Sequence, residues 1–351
     1  MKPVNPRRRA AVIAVSGTAL GAAGLGVLAV PAGAGEAPEL PAVEPLALVE
    51  LVLRSDAPAL SGSITVDNEL GLPKIDGMSA VTAESGRVYF DGEGRARLAL
   101  ELHGGEYTVV NDGTQVWSYD SEENIATRLS LPDHDADMES PHGAVPSDPA
   151  TMARRLVEFA GETSTVSVDG TATVAGRAAY ELVLTPKPTE KTLLREARIA
   201  VDAENRLPLR VSVFTHGTAE PVVSLGFTEI DFGGQAPDLF SFTPPAGAEV
   251  TDIESRARNR GEKPFDDAHV VGEGWDSVMV ARVAADTRSE LADARTRDLL
   301  SRIGTRVNGD YGEGYLVKTR AVTALLTDDG RIAVGAVPEQ VLSDALSRSG
   351  R

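Results

Sequence analysis

The sequence predicts a mainly β protein: one large curved antiparallel sheet or barrel, followed by a small α+β domain. Three observations predict it. Between residues 58 and 243, about ten or eleven short runs alternate apolar and polar residues with period two. Turns of hairpin length, rich in Asp, Asn and Gly, join almost all of them. Only two helical patterns interrupt the series, too few to cover both faces of such a sheet. A sheet this long curls, and the helices then belong on its concave side or in one opening.

The chain begins with a basic segment, Lys2 and Arg7-Arg-Arg9, and then carries no charge from Ala10 to Val30. Small residues at Ala32 and Ala34 complete the order of an export signal, so residues 1–34 read as a signal peptide cut after Ala34. An uncleaved membrane anchor is the alternative, since the run is about long enough to span a bilayer. Its Gly and Ala content makes it a poor span. The protein is thus expected outside the cytoplasm, in the cell envelope, secreted or held by its N-terminus.

Residues 35–45 are proline-rich and read as an extended leader. Leu46, Val49 and Leu53 fall at helical spacing, so a short helix should end near Arg54. Strands are then expected over Leu60–Val66, Arg87–Phe90, Ala96–Leu102, Tyr107–Val110, Gln115–Tyr119 and Ile125–Leu129. Residues 132–147 break the meander as a long acidic loop. Asp148-Pro149 opens a second helix running to Gly161. Strands resume at Thr163–Val168, Thr171–Val174, Ala178–Leu184, Ala197–Val201, Leu207–Phe214 and Val222–Ile230, and Ala236–Val250 closes the unit. The large unit therefore covers residues 46–250. Residues 251–270, charged and poor in large apolar side chains, read as a linker. Residues 271–351 form the small α+β domain: a strand at Trp275–Val283, a helix at Arg288–Ile303, strands through Gly314–Leu326 and Arg331–Val337, and a last helix at Pro338–Leu346.

Charge narrows the partners. The chain carries a net −18, and removing the four positive charges of residues 1–34 takes it to −22. Such a surface repels phosphate backbones, which argues against nucleic acid as a partner. There is no cysteine, so no disulfide and no lipidated N-terminal cysteine. The core alone must hold the fold, which 317 residues allow.

Three stretches carry a resemblance to a known group. They are Tyr107-Thr-Val-Val-Asn-Asp-Gly113 with Val116-Trp-Ser-Tyr119 and Asn124; Ile199-Ala-Val-Asp202 with Leu207-Pro-Leu-Arg210; and Leu239-Phe-Ser-Phe-Thr-Pro-Pro245 with Gly247. In order and spacing, over about residues 43–250, they resemble the LolA/RseB-like (MucB-like) superfamily of exported lipoprotein carriers and regulators. The resemblance implies an incomplete β-barrel whose concave face, partly lidded by helices, holds acyl chains of a lipid or lipoprotein. It also implies an alternative: a regulator that binds a membrane-anchored anti-sigma factor outside the cytoplasm. The second domain is a departure from the short carrier form.

The expected contacts for an acyl chain come from the sheet's large side chains. They are Phe90, Leu98, Leu100, Tyr107, Trp117 and Tyr119 in the first half, and Tyr180, Leu182, Leu184, Phe214 and Phe227 in the second. Ordinary core is the other reading for each of them. Burying a saturated chain yields about 0.8 kcal/mol per methylene, so a concave apolar face left unfilled would bind lipid.

Catalytic signatures are missing. The sequence holds no HExxH, no Gly-x-Ser-x-Gly and no phosphate-binding glycine loop. No enzyme activity and no cofactor are expected. Asp133, Asp135 and Asp137 have the spacing of the first ligands of a calcium loop, with His142 close by. Met138 and Ala144 stand where that loop needs Gly and Glu, which excludes an EF-hand. A looser calcium or zinc site stays open there, beside a solvated acidic loop.

Overall fold

The computed structural model describes residues 38–54, 58–71, 85–102, 104–131, 163–252, 265–284 and 293–349. Helix α1 (Pro45–Arg54) opens on a proline, whose fixed φ suits a first helical residue. Eleven strands follow: β1 (Leu60–Asn68), β2 (Ser85–Phe90), β3 (Ala96–Leu102), β4 (Gly105–Asn111), β5 (Gln115–Asp120), β6 (Ile125–Ser130), β7 (Ser164–Val174), β8 (Arg177–Pro186), β9 (Leu194–Asp202), β10 (Pro208–Thr215) and β11 (Val223–Phe232). A short strand β12 (Glu249–Asp252) completes a twelve-stranded sheet.

The strand order is β12-β6-β5-β4-β3-β2-β1-β11-β10-β9-β8-β7. The sheet is not closed, because β12 and β7 are its two edges among the described residues. Every pairing is antiparallel except β12 on β6. Most neighbours in sequence pair as hairpins; β6 and β7 do not pair, and the two halves join through β1 and β11 instead, while β12 pairs with β6 rather than β11. A bulge at Thr228 leaves Ile64 opposite Phe227 and Ser63 opposite Glu229.

Local chemistry explains the turns. In the β4–β5 hairpin, the Asn111 side-chain carbonyl accepts the Gly113 N–H at 2.9 Å, and Gly113 takes φ +94°, which glycine adopts at little cost. The Asp112 carboxylate accepts the N–H groups of Thr114 and Gln115, each at 2.8 Å. These bonds hold the Asp112 carboxyl below the usual carboxylate range, against the opposing effect of burial.

The closing segment differs from the expected strand. Residues Pro237–Phe240 form a single 3-10 turn, and residues 241–248 run without a ladder before β12 pairs with β6. Pro237, Pro244 and Pro245 cannot donate to a ladder, which explains why the segment crosses the sheet instead of extending it. The expected helix at 148–161 and the acidic loop with Asp133, Asp135, Asp137 and His142 lie outside the described residues.

A second sheet has the order β13-β14-β18-β17-β16-β15, all antiparallel. Its strands are β13 (Phe265–Val271), β14 (Val278–Val283), β15 (Thr305–Gly309), β16 (Gly312–Lys318), β17 (Thr323–Thr327) and β18 (Arg331–Gly335). Helices α2 (Ala294–Ile303) and α3 (Glu339–Ser349) accompany it. Leu342, Ala345 and Leu346 of α3 pack on Val280, Leu325 and Ala333. Several details differ from the sequence pattern: β15 has no counterpart in it, and the stretch Gly314–Leu326 is two strands, β16 and β17. Residues 265–270, inside the stretch read as linker, belong to β13, and Trp275 sits in a 3-10 turn ahead of β14.

The two sheets touch. The Trp275 indole N–H donates to the Ser164 hydroxyl at 2.6 Å, and Trp275 is buried. The Leu193 N–H donates to the Ala336 carbonyl at 2.8 Å. The Arg320 N–H donates to the Leu70 carbonyl at 2.9 Å, and its guanidinium pairs with Glu69 at 3.1 Å.

Candidate functional site

Directly paired residues share a face of a sheet, and alternate residues along a strand do too. The register therefore shows which side chains lie together. One row runs Leu182–Ile199–Val211–Leu225–Val66 across β8, β9, β10, β11 and β1. The next runs Phe227–Ile64–Gly86–Leu100–Tyr107 across β11, β1, β2, β3 and β4. A third adds Val88, Leu98 and Val109, and a fourth Leu60 and Phe90. Tyr180 and Leu184 share the face of Leu182 by alternation. One face of the large sheet is thus apolar from β8 to β4.

Glycines shape it. A Cβ on Gly62 would come 2.6 Å from the Phe227 ring, and one on Gly86 would come 2.9 Å from Leu100 Cδ2. A side chain at either glycine would collide with its neighbour. Phe227 is fully buried, while Phe90, Leu98, Leu100 and Tyr107 are half-buried.

The two ends of this face differ. On β8 and β9 it is covered: Leu48 and Val49 of α1 pack with Tyr180, Leu182, Leu184, Ile199 and Val201. Leu40 and Val43 of the leader join them, as does Trp275. The Tyr180 hydroxyl donates to the Pro41 carbonyl at 3.0 Å, and Thr171 to the Pro38 carbonyl at 2.7 Å. At the other end Leu60, Ile64, Val88 and Phe227 form one buried cluster with Val174, Ala179, Leu207 and Leu209, and the half-buried Phe90, Leu98 and Leu100 pack against it.

Of the eleven side chains expected to meet an acyl chain, the register brings eight to this face: Phe90, Leu98, Leu100, Tyr107, Tyr180, Leu182, Leu184 and Phe227. Trp117, Tyr119 and Phe214 lie on the other. There the closing segment explains two of them. Phe242 packs on Trp117 and Tyr119, with ring centroids 5.6 and 5.8 Å apart. The Arg97 guanidinium donates to the Leu239 carbonyl, and the Asn124 amide donates to the Gly247 carbonyl at 2.9 Å. Phe214 lies beneath the guanidinium groups of Arg195 and Arg198. Sequence alternation alone could have separated Trp117 and Tyr119 from Tyr107, once the turn length fixed the register of the β4–β5 hairpin.

The charged groups of the large sheet are mostly tied up with one another. Arg177 clamps Asp202, a fully buried carboxylate, and also bonds Glu204 at 2.7 Å. Burial alone would raise the Asp202 carboxyl, but the Arg177 guanidinium and the N–H groups of Asn205 and Glu204 outweigh it and hold it below the usual range. The Asp202 and Glu204 carboxylates in turn raise the Arg177 guanidinium, with burial opposing. Arg210 pairs with Glu181 at 2.6 Å, and Arg198 with Glu196 at 2.8 Å. Among the described residues, no three His, Asp or Glu side chains gather as a metal site, and no helix is long and apolar enough to cross a membrane.

No protein-family model and no curated protein matches the chain. Solved structures do match, and they include MucB and a LolA-superfamily protein. MucB in complex with MucA(peri) is 13% identical over 87% of this chain and 97% of that one, with a TM-score of 0.47. A LolA-superfamily protein from Nitrosomonas europaea is 12% identical over 57% of this chain and 99% of that one, with a TM-score of 0.25. LprF from Mycobacterium bovis is 11% identical over 57% and 97%, with a TM-score of 0.30. At these identities and scores, the function has to be argued from this chain's own residues.

Proposed function

We propose that this chain is a non-enzymatic, exported binding protein that holds acyl chains of a lipid or lipoprotein against the apolar face of its large sheet. The observation that carries the reading is the continuity of that face. Rows of Leu, Ile, Val, Phe and Tyr cross eight strands without a charged residue in the rows from Leu182 to Val66 and from Phe227 to Tyr107. The half-buried Leu98, Leu100 and Tyr107 would gain from further burial at about 0.8 kcal/mol per methylene of a bound chain. The export signal at residues 1–34 supports an envelope location. The test is titration of the mature protein with palmitate. Saturable binding that releases a fluorescent acyl probe supports the reading, and no binding up to the solubility limit removes it.

One observation favours a second reading, a module that binds a membrane protein such as an anti-sigma factor. Strand β13 is an edge of the second sheet, and its Val270 is 62% exposed. An edge strand with an exposed apolar residue can take an added strand from a partner. Crosslinking in envelope membranes tests it: a partner lost on Val270→Lys supports the reading, and a partner retained on that variant counts against β13 as its site.

A further inference from the structure

From the turn that joins β9 to β10, we infer that the bound amphiphile is anionic and that Arg206 takes its headgroup. The inference rests on the acyl-chain reading above and names the ligand class. Four observations meet at this turn. The Arg206 guanidinium carbon lies 5.6 Å from the centre of the Tyr180 ring. Its Nη1 is buried and makes no hydrogen bond. The two acids of the same turn, Asp202 and Glu204, are both engaged by Arg177. Ala203, from the same turn, packs against the cluster of Tyr180, Leu182 and Leu184.

A buried guanidinium donor without an acceptor is costly, because it has lost water and gained no acceptor in return. The Tyr180 ring face offsets part of this loss. A carboxylate or phosphate oxygen would remove the rest through a charge-assisted bond. No neighbouring side chain supplies one, since Arg177 holds the nearby carboxylates. Arg206 also adopts φ +59°, a left-handed conformation that side chains other than glycine rarely take. The bonded turn, with the Arg206 N–H on the Asp202 carbonyl at 3.1 Å, holds it there.

The tail has a defined course. Leu207, next to Arg206 in the chain, packs in one cluster with Leu60, Ile64, Val88 and Phe227, and Leu98 and Leu100 pack against that cluster. An amphiphile anchored at Arg206 therefore lays its tail toward the half-buried end of the apolar face. A neutral amphiphile of the same length would gain the same apolar contacts without the anchor.

Calorimetric titration of the mature chain with three sixteen-carbon probes tests this: palmitate, hexadecyl phosphate and hexadecanol. At least one anion should bind about tenfold or more tightly than hexadecanol. Whichever anion binds more tightly identifies carboxylate or phosphate as the headgroup. Arg206→Gln should abolish the preference and leave hexadecanol binding unchanged. Arg206→Lys, which keeps the charge, should restore most of it, so a general folding defect would not reproduce the pattern. Equal binding of all three probes by the unmodified protein would overturn the anchor while leaving acyl binding intact, as would a tenfold anion preference persisting in Arg206→Gln. Binding of none would remove the acyl-chain reading itself, and the anchor with it.

Discussion

Replacing Leu100 by Asp puts a carboxylate in the middle of the proposed ligand face. Leu100 lies on β3 between Gly86 and Tyr107 in the row that starts at Phe227. It is half-buried, so the sheet can tolerate the change better than at a closed site such as Phe227. An acyl chain crossing this row would lose contact over about three methylenes. At about 0.8 kcal/mol each, that is roughly 2.4 kcal/mol, or about fiftyfold in affinity. Arg87→Asp is the control: Arg87 is exposed, one strand away and on the opposite face, opposite Ala99. It changes charge by more than Leu100→Asp does, yet should alter affinity by less than about threefold, because exposed charges are screened. The assay is displacement of a fluorescent acyl probe by palmitate, with a melting curve for each variant. A folded Leu100→Asp protein that binds within threefold of the original would refute the assignment of the face, and so would an equal loss in Arg87→Asp.

Three further outcomes follow from the packing. Gly62→Ala forces a Cβ against the Phe227 ring and to 2.7 Å from the Glu229 carbonyl, and should destabilise by about 1–3 kcal/mol; a denaturant midpoint unchanged from the original would contradict the close approach. Trp275→Ala removes a buried ring from the junction of the two sheets and should destabilise by about 3–5 kcal/mol, whereas Trp275→Phe loses chiefly the bond to Ser164 and should fall between; equal stability of all three would show that the junction is not built on this residue. Asp202 has a folded carboxyl held below its unfolded value of about 3.9, so its contribution is complete above that pH and disappears as pH falls through the folded value. Asp202→Asn should therefore lower stability at neutral pH and flatten its decline in acid, read from denaturant midpoints between pH 2 and 7.

Much of the fold was legible because period-two patterns and turn chemistry are local. The Asn111-Asp-Gly113 turn, for instance, carries its own hydrogen bonds, so the β4–β5 hairpin could be read without any distant contact. The closing segment was not legible in the same way. Phe240 and Phe242 look like strand residues, but their place is decided by Arg95, Arg97, Trp117 and Tyr119, which are more than a hundred positions away in sequence. The site was legible in composition and only partly in geometry. Composition does not separate the aromatic residues by face, whereas alternation along β5 and β10 sends Trp117, Tyr119 and Phe214 to the face opposite Tyr107 and Phe227. Arg206 was missed. Its left-handed backbone, its unbonded Nη1 and its neighbour Tyr180 come together only through the β8–β9 pairing and the turn after it. The motif residues Asn124, Asp202 and Arg210 serve the scaffold through Gly247, Arg177 and Glu181.

The most direct test of acyl binding is native mass spectrometry of the mature protein purified from the exported fraction of its own host. A bound mass that releases fatty-acyl species on denaturation is the predicted result. A clean apo mass, from protein that also fails to take up palmitate afterwards, would contradict the account.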